Sequence, residues 1–143
     1  MRFVDTNILL YAISPMAEES TKRDIALTIL NDVDLCMSVQ VVQEFYTQAT
    51  RATRQGRLRH DEAASMVASW QRFPVLDLTM RIVEDAITAS RRFQISYWDA
   101  AIVAAARASG AATILTEDLQ HGQDFDGVRI ENPFRRATDA WRK

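Results

Sequence analysis

Short apolar runs alternate with longer stretches in which apolar residues recur at helical spacing. Arg2-Phe3-Val4-Asp5 reads as a short strand, followed by a helix over residues 7–12 that stops near Ser14-Pro15, since a residue before proline is biased out of the helical region. A second helix is expected over about 18–31. Leu35-Cys36-Met37-Ser38-Val39 is apolar and too short for a helix, so it reads as a buried strand. Val41, Phe45 and Ala49 then recur every fourth position in a helix expected over 40–54, broken by Gln55-Gly56-Arg57. Another helix is expected over 60–73, with Asp61 and Glu62 suiting its N-terminal dipole. A strand entered through Pro74 covers 74–78. Thr79 caps a helix to Phe93 whose inward stripe is read as Val83 and Ile87. An alanine-rich helix over 97–109 ends at Gly110. Residues 112–116 form a fourth strand and 128–130 a fifth. Apolar strands alternating with helices predict a three-layer α/β/α fold around a mostly parallel five-stranded sheet, covered on both faces.

Composition narrows this picture. A chain of 143 residues, 48% hydrophobic and 25% charged, is expected to form a single domain over 1–143 with a core of its own. Its one cysteine, Cys36, cannot form an intrachain disulfide, which suits a reducing compartment. No apolar run reaches the length of a membrane span, and Asp5 interrupts the start where a signal peptide needs an apolar stretch. A cytoplasmic location is expected. The net charge of −2 excludes a globally basic nucleic-acid binder. Of 17 basic residues only Lys22 and Lys143 are lysines; both lie in polar stretches expected to be exposed, which argues against lysine-based catalysis.

The candidate chemistry is acidic. In parallel sheets, ligands bind beyond the carboxyl ends of the strands. Asp5 ends the first strand, Asp118 lies just past the fourth, Glu44 is in the first turns of the helix after the second, and Asp99 is near the start of the alanine-rich helix. Each has a plain alternative. Asp5 can cap the next helix, Asp99 can sit on a helix dipole, Asp118 can be a turn residue and Glu44 can face solvent, although Val41, Val42 and Phe45 surround it. Glu117 competes for the fourth place; Asp118 is preferred. Two unit charges roughly 5 Å apart at an effective dielectric of about 20 repel by about 3 kcal/mol. A hard divalent cation, Mg²⁺ or Mn²⁺, relieves such a cluster and can orient a water toward a phosphate.

Four motifs carry a resemblance. Val4-Asp5-Thr6-Asn7-Ile8-Leu9-Leu10-Tyr11-Ala12, Val41-Val42-Gln43-Glu44-Phe45, Ser96-Tyr97-Trp98-Asp99-Ala100-Ala101-Ile102 and Ile114-Leu115-Thr116-Glu117-Asp118-Leu119-Gln120-His121-Gly122 resemble the PIN-domain ribonucleases, and within them the VapC-type toxins of toxin–antitoxin pairs. The resemblance runs on to Ile130-Glu131-Asn132-Pro133-Phe134. It implies a metal-dependent endoribonuclease with Asp5, Glu44, Asp99 and Asp118 as the acidic set, Asn7 orienting a carboxylate and Thr116 supplying the hydroxyl before the fourth acid. It also implies an RNA substrate, products with 5′-phosphate and 3′-hydroxyl ends, a homodimer, and a cognate antitoxin covering the acidic groove. Dimer contacts are expected from the helices around 18–31 and 40–54.

Other features weigh less. Arg51, Arg54, Arg57 and Arg59, with His60, are the densest basic stretch: a solvated loop, or an RNA-phosphate or partner contact. Arg91-Arg92 is a lesser candidate of the same kind. His121 reads as a loop histidine rather than a proton shuttle. Asp124 and Asp126 before Gly127 hint at a calcium loop, but Gly122 and Phe125 fill ligand positions and no glutamate closes it. Trp70, Trp98 and Trp141 are too scattered for a stacking platform and are expected in core or interface packing. A receiver-type phospho-acceptor domain would need a lysine that residues 23–142 lack, although Asp77 could serve as its acceptor. A non-catalytic RNA- or partner-binding module is the remaining alternative.

Overall fold

The computed structural model describes residues 1–135; Trp141 and Lys143 lie outside the described residues. In chain order the elements are β1 (Arg2–Val4), α1 (Thr6–Ala12), a 3₁₀ turn (Ala17–Glu19), α2 (Ser20–Leu30), β2 (Leu35–Ser38), α3 (Val39–Ala49), α4 (His60–Trp70), β3 (Val75–Leu76), α5 (Met80–Phe93), α6 (Tyr97–Ala108), β4 (Thr113–Leu115), β5 (Asp124–Phe125) and β6 (Val128–Glu131). The helix expected over 40–54 ends early, at Ala49. There the Thr50 hydroxyl turns back to the Tyr46 carbonyl at 2.7 Å. The following loop folds over Pro15. Gly56 takes φ 70°, and a Cβ there would lie 2.4 Å from Pro15 Cγ, so the turn admits only glycine.

The strand order is β3-β2-β1-β4-β6-β5. Every pair is parallel except β5–β6. Phe3 pairs with Cys36 on one side and Ile114 on the other, so β1 is the centre of the sheet. The sheet has six strands rather than five. The extra one, β5, is an antiparallel edge formed by a hairpin whose two-residue turn, Asp126-Gly127, has positive φ at both positions. The Asp-Gly pair that hinted at a calcium loop is this turn: the Asp124 side chain accepts from the Gly127 amide at 2.7 Å.

Helix α6 packs on β2, β4 and β6, and α5 lies over α6. Ile102, Val103, Ala105 and Ala106 join the main core, whereas Ala100, Ala101 and Ala104 join Ile82 and Ala86 of α5. The alanines let a helix covered on both sides approach the sheet and α5 closely. This corrects the stripe expected on α5. Ile82 and Ala86 point inward, and Ile87 is 48% exposed. Both registers repeat at helical spacing, but only the small Ala86 suits the alanine face of α6. On the other side of the core α1 packs on α2 and α3, and α4 on α3, where Trp70 meets Phe45 edge-on. Among the described residues no helix is long and apolar enough to cross a membrane.

Candidate active site

The chain leaves β1 for α1 and β2 on one side, while β4 lies on the other. Between β1 and β4 the order of strands therefore reverses, and the carboxyl ends of these strands open a crevice. Asp5 follows β1 directly. It is only 6% exposed, and its extended backbone makes it the N-cap of α1. One oxygen accepts from the Thr6 amide at 2.7 Å and the other from the Thr116 hydroxyl at 2.9 Å. Thr116, fully buried after β4, in turn accepts from Asn7 Nδ2 at 3.0 Å and from the Asp118 amide at 3.1 Å. Asn7 Nδ2 also lies 3.2 Å from Asp118 Oδ2. On the far side, Thr6 Oγ1 donates to Glu44 Oε2 at 2.8 Å, and Gln40 Nε2 donates to Glu44 Oε1 at 3.0 Å. Glu44, Thr6, Asp5, Thr116, Asn7 and Asp118 thus form one continuous chain of hydrogen bonds across the strand ends.

Asp99 is not part of that chain. It sits in the first turn of α6, whose cap Ser96 accepts from the Asp99 amide at 3.1 Å. It acts on Asp118 through charge. Partial desolvation pushes Asp118 above the usual carboxylate range, the Asn7 amide pulls the other way, and the charges of Glu117, Asp99 and Glu44 add to the rise. Burial pushes Asp5 up to about 7, against the bonds from Thr6 and Thr116 and with the charges of Asp118 and Glu44. Among the described residues no ion pair reaches Asp5, Glu44, Asp99 or Asp118. The donor chemistry, several carboxylate oxygens with no cation to balance them, fits a hard divalent ion. The side chains stand apart, however: among the described residues no three acidic, histidine or cysteine side chains are grouped so as to hold one ion.

Glu117 turns away from this cluster, to the Tyr11 hydroxyl and to Lys22 Nζ at 3.0 Å. Lys22, expected in solvent, is therefore half-buried. Thr6, Gln40, Tyr11 and Lys22 were not singled out from sequence. Gln40 had a usable signal, lying four residues before Glu44 on the same helical face. Of the basic stretch, Arg54 lines a cavity of about 180 Å³ with Asn7, Leu10, Tyr11, Glu19 and Glu117. Arg51 and Arg57 are exposed, and Arg59, also exposed, pairs with Asp61 and Glu62 at the start of α4. His60 bonds Tyr46, and Arg92 pairs with Asp126. His121 accepts from the Asn132 amide at 3.1 Å, beside a cleft of about 1000 Å³ along α2 that includes none of the four acids. Trp70 is buried as expected, but Trp98 is 66% exposed beside Asp99.

A mostly parallel α/β/α sheet with carboxylates gathered at its switch point defines a class of small acidic-site proteins. Residues 2–124 match the family model of the PIN domain, and the chain belongs to that family. A search of curated protein sequences found no match. Among solved structures, the fold is similar to a toxin–antitoxin complex from Klebsiella pneumoniae (TM-score 0.67, 16% identity, 93% of this chain and 98% of that one). It is also similar to VapC20 from Mycobacterium tuberculosis, a sarcin–ricin loop cleaving toxin (0.62, 22%, 82% and 90%). A third similar structure is the DNA-bound VapBC of Salmonella typhimurium (0.63, 19%, 92% and 97%).

Proposed function

We propose that this protein is a divalent-metal-dependent endoribonuclease and the toxin of a toxin–antitoxin pair. The observation that carries the reading is the single hydrogen-bonded chain joining Asp5, Glu44 and Asp118 at the β1/β4 crevice, with Asp99 acting on Asp118 through charge and, among the described residues, no cation paired to any of the four. The PIN family and the toxins of similar fold support it.

Asp5, Asp99 and Asp118 would hold Mg²⁺ or Mn²⁺, with Glu44 in direct contact or through a water. The bound ion would supply charge for a phosphate under in-line attack and acidity for a water. The chain's own residues do the rest. Thr6 and Thr116 fix both oxygens of Asp5, Asn7 aims Asp118 and Gln40 aims Glu44, so the carboxylates meet the substrate preorganised. One of these carboxylates takes the proton of the attacking water. The products would carry 5′-phosphate and 3′-hydroxyl ends. Arg54, beside Asn7, is the best placed of the arginines to contact an RNA phosphate; Arg51 and Arg57 would extend that contact. A homodimer in the cytoplasm, silenced by an antitoxin segment whose arginine pairs with the acidic groove, completes the proposal.

The test is cleavage of total RNA by purified chain in Mg²⁺, Mn²⁺ or EDTA, with sequencing of new 5′ ends and Asp5→Ala as control. Cleavage that requires the ion and vanishes in the variant supports the proposal; undiminished cleavage by Asp5→Ala removes it. The open spacing of the acids favours a second reading, a non-catalytic binding module. RNA retention with no turnover at any ion concentration would establish that instead.

A further inference from the structure

The chain has two lysines against fifteen arginines, and the one within the described residues is enclosed. Lys22 Nζ lies 3.0 Å from Glu117 Oε2 and 3.2 Å from the Tyr11 hydroxyl, which itself donates to Glu117 Oε1. It also stands 4.8 Å from the centre of the Tyr11 ring and 5.7 Å from that of Phe134. Three donors on a compact head suit two oxygens and an aromatic face better than a planar guanidinium would.

Glu117 lies between two residues of the acid chain. Past the end of β4 the chain bends, and the Thr116 and Asp118 side chains both meet Asn7 Nδ2 while that of Glu117 is directed to Tyr11 and Lys22. The Glu117 amide still donates to Asn7 Oδ1 at 3.4 Å, so its backbone belongs to the site while its carboxylate does not. A released Glu117 would be a fifth negative charge, one residue from Asp118, on a four-carboxylate site.

We infer that Lys22, with Tyr11, is a positioning residue: it neutralises Glu117 and holds its carboxylate on the α1–α2 side, which keeps the ion site to four acids and fixes the Thr116–Asp118 segment. This rests on the ion-binding part of the proposed function. It makes Lys22 a counter-charge acting through Glu117, with no contact of its own to the substrate.

Manganese titration of the purified full chain, followed by the loss of the free-ion EPR signal, tests this without reference to cleavage. Lys22→Met should bind Mn²⁺ roughly fivefold tighter than the parent chain. That is the scale of one more unit charge acting on a divalent ion through a water-like dielectric. Lys22→Arg should stay near the parent value. Glu117→Gln leaves Lys22 as an uncompensated positive charge and should bind Mn²⁺ more weakly, by up to a similar factor, whereas Lys22→Met/Glu117→Gln should return to the parent value. In an RNA cleavage assay Lys22→Met should lose activity that the added Glu117→Gln restores. Unaltered Mn²⁺ binding in a folded Lys22→Met, or a double variant no closer to the parent than Lys22→Met, overturns the inference. Should Lys22→Met fail to fold, the double variant decides: Mn²⁺ binding as weak as in Glu117→Gln alone would make Glu117 a ligand and end the proposal, whereas parent-like binding upholds it. A parent chain that binds Mn²⁺ but cleaves no RNA would instead defeat the nuclease reading and leave this one standing.

Discussion

One oxygen of Asp5 accepts from the Thr6 amide and caps α1, while the other accepts from the Thr116 hydroxyl across the sheet. The residue is a cap, as its plain reading had it, and capping leaves its second oxygen turned into the proposed site. Its pKa, pushed up to about 7 by burial, has a thermodynamic consequence. The folded chain binds this proton more tightly than the unfolded chain does. The stability it contributes is complete below about pH 4 and is lost as pH rises through about 7, a change of up to about 4 kcal/mol. Urea unfolding in EDTA should show the chain weakening from pH 5 to pH 8, and Asp5→Asn should flatten that slope; an equal slope in the variant would refute the assignment. Thr116 is the other residue with several partners. Thr116→Val keeps the shape but removes one donor and two acceptances, so it should cost about 2 kcal/mol by denaturation. If the preorganisation argument holds, it should also lower RNA cleavage more than its stability loss explains.

At the level of elements, most of the pattern was legible in the residues. Each expected strand and helix exists, with ends that differ by up to five residues, because periodicity fixes a helix's type better than its last turn. Two features were misread, and a third, the residue that closes α5, was not anticipated. The hairpin at Asp126-Gly127 was passed over for its acids, although the Asp-Gly pair is itself the turn signal. The inward face of α5 was placed one residue off, since its partner α6 decides which of two equivalent stripes packs. The end of α5 gave no glycine: Gln94 closes it in the left-handed region at φ 55°. Gln94→Gly should relieve that conformation and raise stability by about 0.5–1 kcal/mol, visible as a melting point higher by a few degrees. An unchanged or lower melting point would show that Gln94 pays no such strain.

The fold brings four distant stretches toward one crevice, with a charge that no ion pair among the described residues neutralises. A divalent ion should therefore act as a ligand of the folded state. Mg²⁺ at a hundredfold excess over its dissociation constant should stabilise the chain by about 2.7 kcal/mol. The effect should be larger at pH 8 than at pH 5.5, where protons compete for the same carboxylates, and EDTA should abolish it. Asp99→Asn and Asp118→Asn should both reduce the shift. A melting point indifferent to Mg²⁺ at pH 8 would remove the ion from the proposed function.

Sequence by itself determined the succession of strands and helices apart from the edge strand β5, the mostly parallel sheet, and which four acids are candidates at its strand ends. These follow from local spacing and from the rule that ligands gather at strand ends. It left Lys22 wrongly placed, expected in solvent where the fold half-buries it against Glu117, because a long side chain's partners are not a local property. The preference for Asp118 over Glu117 acquires a geometric reason only in the tertiary structure. The two are adjacent carboxylates, and what differs is the side of the strand end each leaves from: one meets Asn7, the other a lysine ninety-five residues away in the chain.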